Sequence, residues 1–293
     1  MYIVGLDLGG TNIGVGLLKN NKIVKFLKLP THANQGKGVV INQIIKAIEL
    51  IISGIDKKNI SGIGLGVPGP CDYKKGVLIN PPNLPFRNVN LKNIIKKRFK
   101  KKVIMENDAG CAALAEKRFG VGKNKKNFIL LTLGTGIGGG LIINNELYHG
   151  LGNGGELGHI SIKSDGPKSK CGNDGCLEVL ASGTAIVKRA KKILGKELKA
   201  RELAQLARKG NKKARRVLEE SGKYLGIGLA NFVNIFNPEL IILSGGVWDS
   251  GDILLNFAKK EMKKRALFNT EVVWSKLKEP GVLGAASLIK NAS

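Results

Sequence analysis

Asp108 follows Asn107 where an apolar run, Val103 to Met105, gives way to the alanine-rich helical stretch Ala109 to Phe119. A carboxylate there suits two roles. As an N-cap it would accept helix N–H groups, a place that Asp and Asn favour. As a general base it would take the proton from an attacking hydroxyl, and an ionised carboxylate can do so at neutral pH even though a helix start favours the charged form. The local sequence leaves both open. Asp7-Leu8-Gly9-Gly10-Thr11-Asn12 offers a second chemistry. Gly9 and Gly10 allow a sharp backbone turn that can approach a phosphate with its N–H groups. Thr11 adds a hydroxyl, and Asp7 puts a carboxylate where hydrated Mg²⁺ would sit. Thr132-Leu133-Gly134-Thr135-Gly136 repeats this design at a second strand end. Either alone is equally an ordinary glycine-bearing hairpin; the pair points to a grip on nucleotide phosphates. The commoner grips are missing. Gly64, Gly66, Gly69 and Gly134, Gly136, Gly139 match G-x-G-x-x-G, but neither stretch opens a helix, and no G-x-x-x-x-G-K-[ST] string occurs.

Glu156 and His159, with the later Glu178, bring two carboxylates and an imidazole near the second glycine turn. Carboxylates pair well with vicinal hydroxyls, so this set could bind a polyol; a lone loop histidine is otherwise structural. Cys171 and Cys176, spaced C-x₄-C, follow His159 and make three of the four ligands that zinc wants. Two loop cysteines without metal are the other reading.

The elements that must position these groups can be read from periodicity. Tyr2 to Leu8, Ile13 to Lys19 and Ile23 to Leu29 form a three-stranded antiparallel start, with an Asn20-Asn21 turn. Ile41, Ile44, Ile45, Ile48, Ile51 and Ile52 recur at helical spacing from Val39 onward. A strand Ile60 to Val67, a basic helix Leu91 to Phe99 and the strand at Val103 lead to Asp108. A second cycle follows: strand Phe128 to Leu133, a glycine turn Gly134 to Gly140, and a returning strand Leu141 to Asn144, a weak internal duplication of the first hairpin. An irregular Gly/Cys/Asp-rich segment spans 150–182, helices fill roughly 183–233, a strand Leu240 to Leu243 ends in Ser244-Gly245-Gly246, and Gly284 to Lys290 reads as a last helix. The class is α/β with two lobes.

The 293 residues carry 48 Lys plus Arg against 22 Asp plus Glu, a net charge of +26 that favours anionic partners. These charges are scattered singly and in short clusters, as on a solvated surface. Four cysteines do not make a disulfide scaffold. Asp7 breaks any signal-peptide pattern, and the glycines between Phe128 and Asn145 break any membrane span, so a cytoplasmic protein without membrane partner is expected.

Taken in order, these motifs resemble the ROK sugar kinases and repressors of the actin-like ATPase superfamily. The resemblance runs through Asp7-Leu8-Gly9-Gly10-Thr11, Gly66-Val67-Pro68-Gly69-Pro70, Pro82-Asn83-Leu84, Glu106-Asn107-Asp108-Ala109, Gly136-Ile137-Gly138-Gly139-Gly140, Gly155-Glu156-Leu157-Gly158-His159, the Cys171 to Glu178 segment and Leu243-Ser244-Gly245-Gly246-Val247. Ala181-Ser182-Gly183-Thr184-Ala185 brings it nearest to the bacterial glucokinases. It implies the actin-like, ribonuclease H-like fold, with an N-terminal lobe over 1–117 that receives a C-terminal helix at about 281–293, a C-terminal lobe over 118–280, and a cleft between them. It implies ATP-dependent phosphorylation of a hexose, glucose first, with Asp108 as base. Gly66, Asn83, Asn107, Glu156, His159 and Glu178 would hold the sugar. Gly9, Gly10, Thr11, Asn12, Thr132, Gly134, Thr135 and Gly136 would hold ATP phosphates, Gly245 and Gly246 the adenosine, and Asp7 the Mg²⁺. Zinc would sit on His159, Cys171 and Cys176. Ser169, however, stands where the family has its first cysteine, so the fourth ligand would be water or a side chain from elsewhere, and zinc would be weaker or lost. Gly110 also replaces a frequent Asn. N-acetylmannosamine and fructose are the next substrates. The family's sugar-responsive repressors carry an added N-terminal helix-turn-helix, and a first strand at Tyr2 leaves no room for one. No specific nucleic acid is therefore expected, and relatives suggest a homodimer or homotetramer.

Overall fold

The computed structural model describes residues 1–247 and 252–289. In chain order its elements are β1 (Tyr2–Leu8), β2 (Asn12–Lys19), β3 (Lys22–Pro30), α1 (Lys37–Ile52), β4 (Ile60–Val67), β5 (Cys71–Asp72), β6 (Val77–Leu78), β7 (Val89–Asn90), α2 (Leu91–Phe99), β8 (Val103–Asn107), α3 (Asp108–Phe119), β9 (Phe128–Leu133), β10 (Ile137–Ile143), β11 (Glu146–Leu147), α4 (Leu177–Ala181), α5 (Gly183–Leu194), α6 (Ala200–Arg208), α7 (Lys212–Phe236), β12 (Leu240–Ser244), α8 (Asp252–Arg265), β13 (Glu271–Trp274) and α9 (Pro280–Ser287). They fall into two compact units. The first takes 1–124, 140–154 and the described part of 276–293; the second takes 125–139 and the described part of 155–275. No helix among the described residues is long and apolar enough to cross a membrane.

The first unit is built on a sheet of order β3-β2-β1-β4-β8. Its first three strands are antiparallel, and β1, β4 and β8 run parallel. Val4, Leu6 and Leu8 of β1 are fully buried with Ile63 and Leu65 of β4, and the inward isoleucines Ile44, Ile48 and Ile51 of α1 complete this core. The Asn20-Asn21 turn has φ of 50° and 64°, the left-handed pair that a two-residue hairpin requires and asparagine tolerates. A Cβ on Gly64 would run into the Ala285 carbonyl, so the absence of a side chain there lets α9 lie directly on β4. That helix starts at Pro280 rather than at the expected Gly284, because proline fits the first helical turn, where its missing N–H costs nothing. The expected end at Lys290 lies outside the described residues. A small antiparallel sheet, β5-β6-β7, was not anticipated, since two-residue strands carry no readable period.

In the second unit β12 lies between β9 and β13, parallel to both. The expected glycine turn over 134–140 is shorter than that. Only Gly134 to Gly136 turn, and β10 already begins at Ile137. Gly139 sits in that strand because a side chain there would strike the Gly155 carbonyl and Leu157. The helices α5 and α7 are capped by Ser182 Oγ, which accepts the Ala185 N–H at 3.2 Å, and by Asn211 Oδ1, which accepts the Ala214 N–H at 2.9 Å. The segments forming α8 and β13 had no assignment from the sequence.

Candidate functional site

In the first unit the parallel strands deliver the candidate residues to one end. Gly66 of β4 is registered with Asp7 on β1 and with Glu106 on β8, and Val67 with Asn107. Asp7, Gly66, Asn107 and Asp108 are thus gathered at the carboxyl ends of three adjacent parallel strands, where open α/β sheets bind ligands. The Gly9-Gly10-Thr11 turn follows directly. Gly9 N–H donates to the Asn12 carbonyl at 2.9 Å, and the buried Thr31 braces the loop, its hydroxyl donating to the Gly9 carbonyl at 2.7 Å. A Cβ on Gly10 would come within 2.9 Å of Asn83 Cβ, so the expected phosphate loop and the expected sugar ligand Asn83 adjoin. Thr11 and Asn12 are exposed.

The cap and the carboxylate separate cleanly. Asn107 is the N-cap of α3; its Oδ1 accepts the N–H groups of Ala109 at 3.0 Å and Gly110 at 3.3 Å. Asp108 is the first helical residue, half-buried, with Oδ1 accepting the Ala109 N–H at 2.7 Å. Asp7 feels this neighbourhood. Loss of solvent pushes its carboxyl up to about 7, helped by the charges of Asp108 and Glu279 and opposed by Lys28. A carboxyl crowded by other carboxylates is relieved by a divalent cation, so the donor set fits magnesium.

Beside this lies a buried cluster that was not legible in the sequence. Glu106 Oε1 accepts the Asn107 N–H at 2.8 Å, and its Oε2 lies 2.8 Å from His149 Nε2. The His149 ring stacks on Tyr73. Only the Glu106 position next to Asn107 could have hinted at it.

The second unit repeats the arrangement. Ser244 of β12 is registered with Thr132 of β9, which places Gly245 and Gly246 beside the Thr132 to Gly136 hairpin at the carboxyl ends of these strands. Gly245 has φ of 100°, and both glycines are exposed. Thr132 Oγ1 accepts the Gly138 N–H at 3.1 Å. The start of α5 holds the loop from below, Gly183 N–H donating to the Gly134 carbonyl and Thr184 Oγ1 to the Thr135 carbonyl, both at 2.8 Å. Glu178 Oε2 accepts the Ile137 N–H at 2.9 Å and fills the space beside Gly136, so Glu178 is tied to the hairpin. His159 Nε2 lies 3.8 Å from Glu156 Oε2.

Ligand atoms of His159, Cys171 and Cys176 all lie within 4.8 Å of one another. The sulfurs are 3.6 Å apart. Two thiolates on one tetrahedral zinc, with Zn–S of about 2.3 Å, stand ~3.8 Å apart, so this spacing fits. His159 Nδ1 is buried and has no hydrogen-bond partner, an uncommon state for a polar atom unless something else binds it. Its hydrogen bond with Ser169 lowers the Cys171 thiol, while burial raises that of Cys176. The buried Ser169 Oγ is 3.4 Å from Cys171 Sγ. Ser169 therefore stands at the cluster itself, and the fourth donor need not come from a distant part of the chain.

The ROK family model matches residues 3–292. Among characterised proteins, the glucokinase of Thermotoga maritima is 37% identical across 99% of this chain and 98% of its own. The xylose repressor of Bacillus subtilis is 35% identical across 99% of this chain and 74% of its own. Among solved structures, a ROK family glucokinase from Streptomyces griseus, in complex with glucose and AMPPNP, superposes with a TM-score of 0.87 at 31% identity, covering 99% of each chain. The fold is the actin-like ATPase fold of these sugar kinases. From its first strand to its last helix, the chain belongs to the ROK family.

Proposed function

We propose that this protein transfers the γ-phosphoryl group of ATP to a hexose, glucose before others, giving glucose 6-phosphate and ADP. What supports this most is Asp108, a half-buried carboxylate at the start of α3 that the helix does not need as its cap. Its carboxylate takes the proton of the sugar 6-hydroxyl as that oxygen bonds to the γ-phosphorus and the bond to the β-phosphate bridge breaks. Phosphoryl transfer asks mainly for positioning and charge neutralisation. The backbone N–H groups of Gly9 to Asn12 and of Thr132 to Gly136 serve the phosphates, and Gly245 and Gly246 the adenosine. Asp7 holds magnesium, which when bound neutralises phosphate oxygens. Gly66, Asn83, Asn107, Glu156, His159 and Glu178 orient the sugar hydroxyls. His159, Cys171 and Cys176 would hold zinc, with Ser169 near enough to offer a fourth donor, and zinc bound there would keep the His159 ring in one orientation for the sugar. The protein works in the cytoplasm as a homodimer or homotetramer.

The test is a coupled ADP-release screen across hexoses and N-acetylhexosamines. Glucose is expected to give the highest kcat/KM, ahead of N-acetylmannosamine and fructose. A second reading, a sugar-responsive regulator, is favoured by the whole-chain similarity to the xylose repressors. Saturable sugar binding with no ADP release from any sugar would select it.

A further inference from the structure

The buried carboxylate that precedes the base carries a further inference, whose catalytic half rests on the hexose kinase reading. Glu106 is only 6% exposed. A carboxylate withdrawn from water is costly unless its oxygens are served. One oxygen accepts the Asn107 N–H and the other meets His149 Nε2, each at 2.8 Å. The His149 ring is itself held flat against Tyr73, with centroids 4.1 Å apart and planes 16° apart. The His149 carbonyl accepts the N–H groups of Gly152 and Gly154 at 2.8 Å, which fixes the backbone that carries the ring. At Gly110 an added Cβ would stand 3.3 Å from Glu106 Oε1, so glycine leaves the carboxylate its place. Three separate stretches of the first unit, the β5–β6 turn, the end of β8 and the segment after β11, thus converge on the peptide just before Asp108.

We propose that His149 is a positioning residue for the transfer reaction. Braced by Tyr73, it holds Glu106, and Glu106 fixes the Asn107 peptide that aims the Asp108 carboxylate. Through Glu106, His149 and Tyr73 act on the Asn107 peptide and so on the base. A residue that aims the base changes the chemical step more than ground-state sugar binding.

Two readouts test this in the full chain. The first is amide hydrogen exchange at 103–113 with no ligand present, where His149→Ala should speed exchange of the Asn107 and Asp108 amides about 10-fold. The second is kinetics, where His149→Ala should lower kcat about 10-fold with KM for the sugar within about 2-fold. His149→Gln sets an amide nitrogen where Nε2 stands and should recover most of both. Tyr73→Ala, which leaves Glu106 and His149 in place, should move both readouts in the same direction and serves if His149→Ala does not fold. Exchange and kcat unchanged in a folded His149→Ala or Tyr73→Ala variant would overturn the proposal. So would His149→Gln behaving no better than His149→Ala. If the unaltered protein turns over no sugar, the kinase reading fails while the exchange experiment still decides whether the clamp exists.

Discussion

At the scale of single residues, two carboxylates carry separable expectations. Asp108→Asn keeps the shape of the side chain and removes its basicity. Turnover should fall by roughly 10³-fold, the span usual for a lost general base, while calorimetry records glucose affinity within a few-fold of the original. Near-normal turnover would remove Asp108 from the mechanism. Asp7 makes a prediction about pH. Its carboxyl is held up at about 7, above the ordinary 3.8. The protonated form is therefore the one that suits the folded state, and the stability linked to it is complete below about pH 4 and lost as pH rises through 7. Asp7→Asn should melt above the parent by a margin that widens between about pH 4 and 7 and then stays level. Magnesium should narrow that margin at pH 8 by favouring the ionised carboxylate, as thermal melts with and without the ion would record. These residues were legible because each carboxylate stands at the end of an apolar strand, beside glycines or a capping asparagine, where a change of pattern is read from adjacent residues. Their partners were not: nothing in the spacing of Tyr73, Glu106 and His149 links them, and Thr31 looks like any loop threonine until its hydroxyl is seen on the Gly9 carbonyl.

At the scale of elements, local pattern served where it was long enough to have a period. The basic helix Leu91 to Phe99 and the strands at Ile60 and Phe128 fall where the pattern puts them. The glycine run after Leu133 misled, since glycine suggests a turn, whereas Gly139 and Gly140 are needed inside β10 because other backbone approaches it. The loop that carries Cys171 and Cys176 gives an element-level test. If Ser169 supplies the fourth place, Ser169→Cys adds a thiolate and should tighten zinc in a chelator competition by at least about 10-fold. Cobalt substitution should show the added thiolate as stronger sulfur-to-metal charge-transfer absorption. Equal affinity and an unchanged cobalt spectrum would place Ser169 outside the metal's reach.

For the whole molecule, the dominant property is its charge of +26. A field of that sign raises the encounter rate of an anionic nucleotide and does nothing for a neutral hexose. Raising salt from about 0.05 to 0.5 M should lower kcat/KM for ATP several-fold while leaving KM for glucose nearly level. Equal salt sensitivity for both substrates would show that the charge is a solubility device alone. The same charge does not distinguish kinase from repressor, and that distinction falls to the turnover screen.

Taken by itself, the sequence determined the α/β class, most element positions, the two glycine hairpins and the candidate base, because each depends on neighbours close in the chain. Which distant groups meet was set by packing between separate segments. It set Asp7 and Asn107 on either side of β4, gave the cap to Asn107 rather than Asp108, brought His149 to Glu106, and put Ser169 among the sulfurs. The reason is physical. Periodicity and turn chemistry are local, whereas hydrogen-bond partners, desolvation and ligand geometry arise only when separate segments share one space.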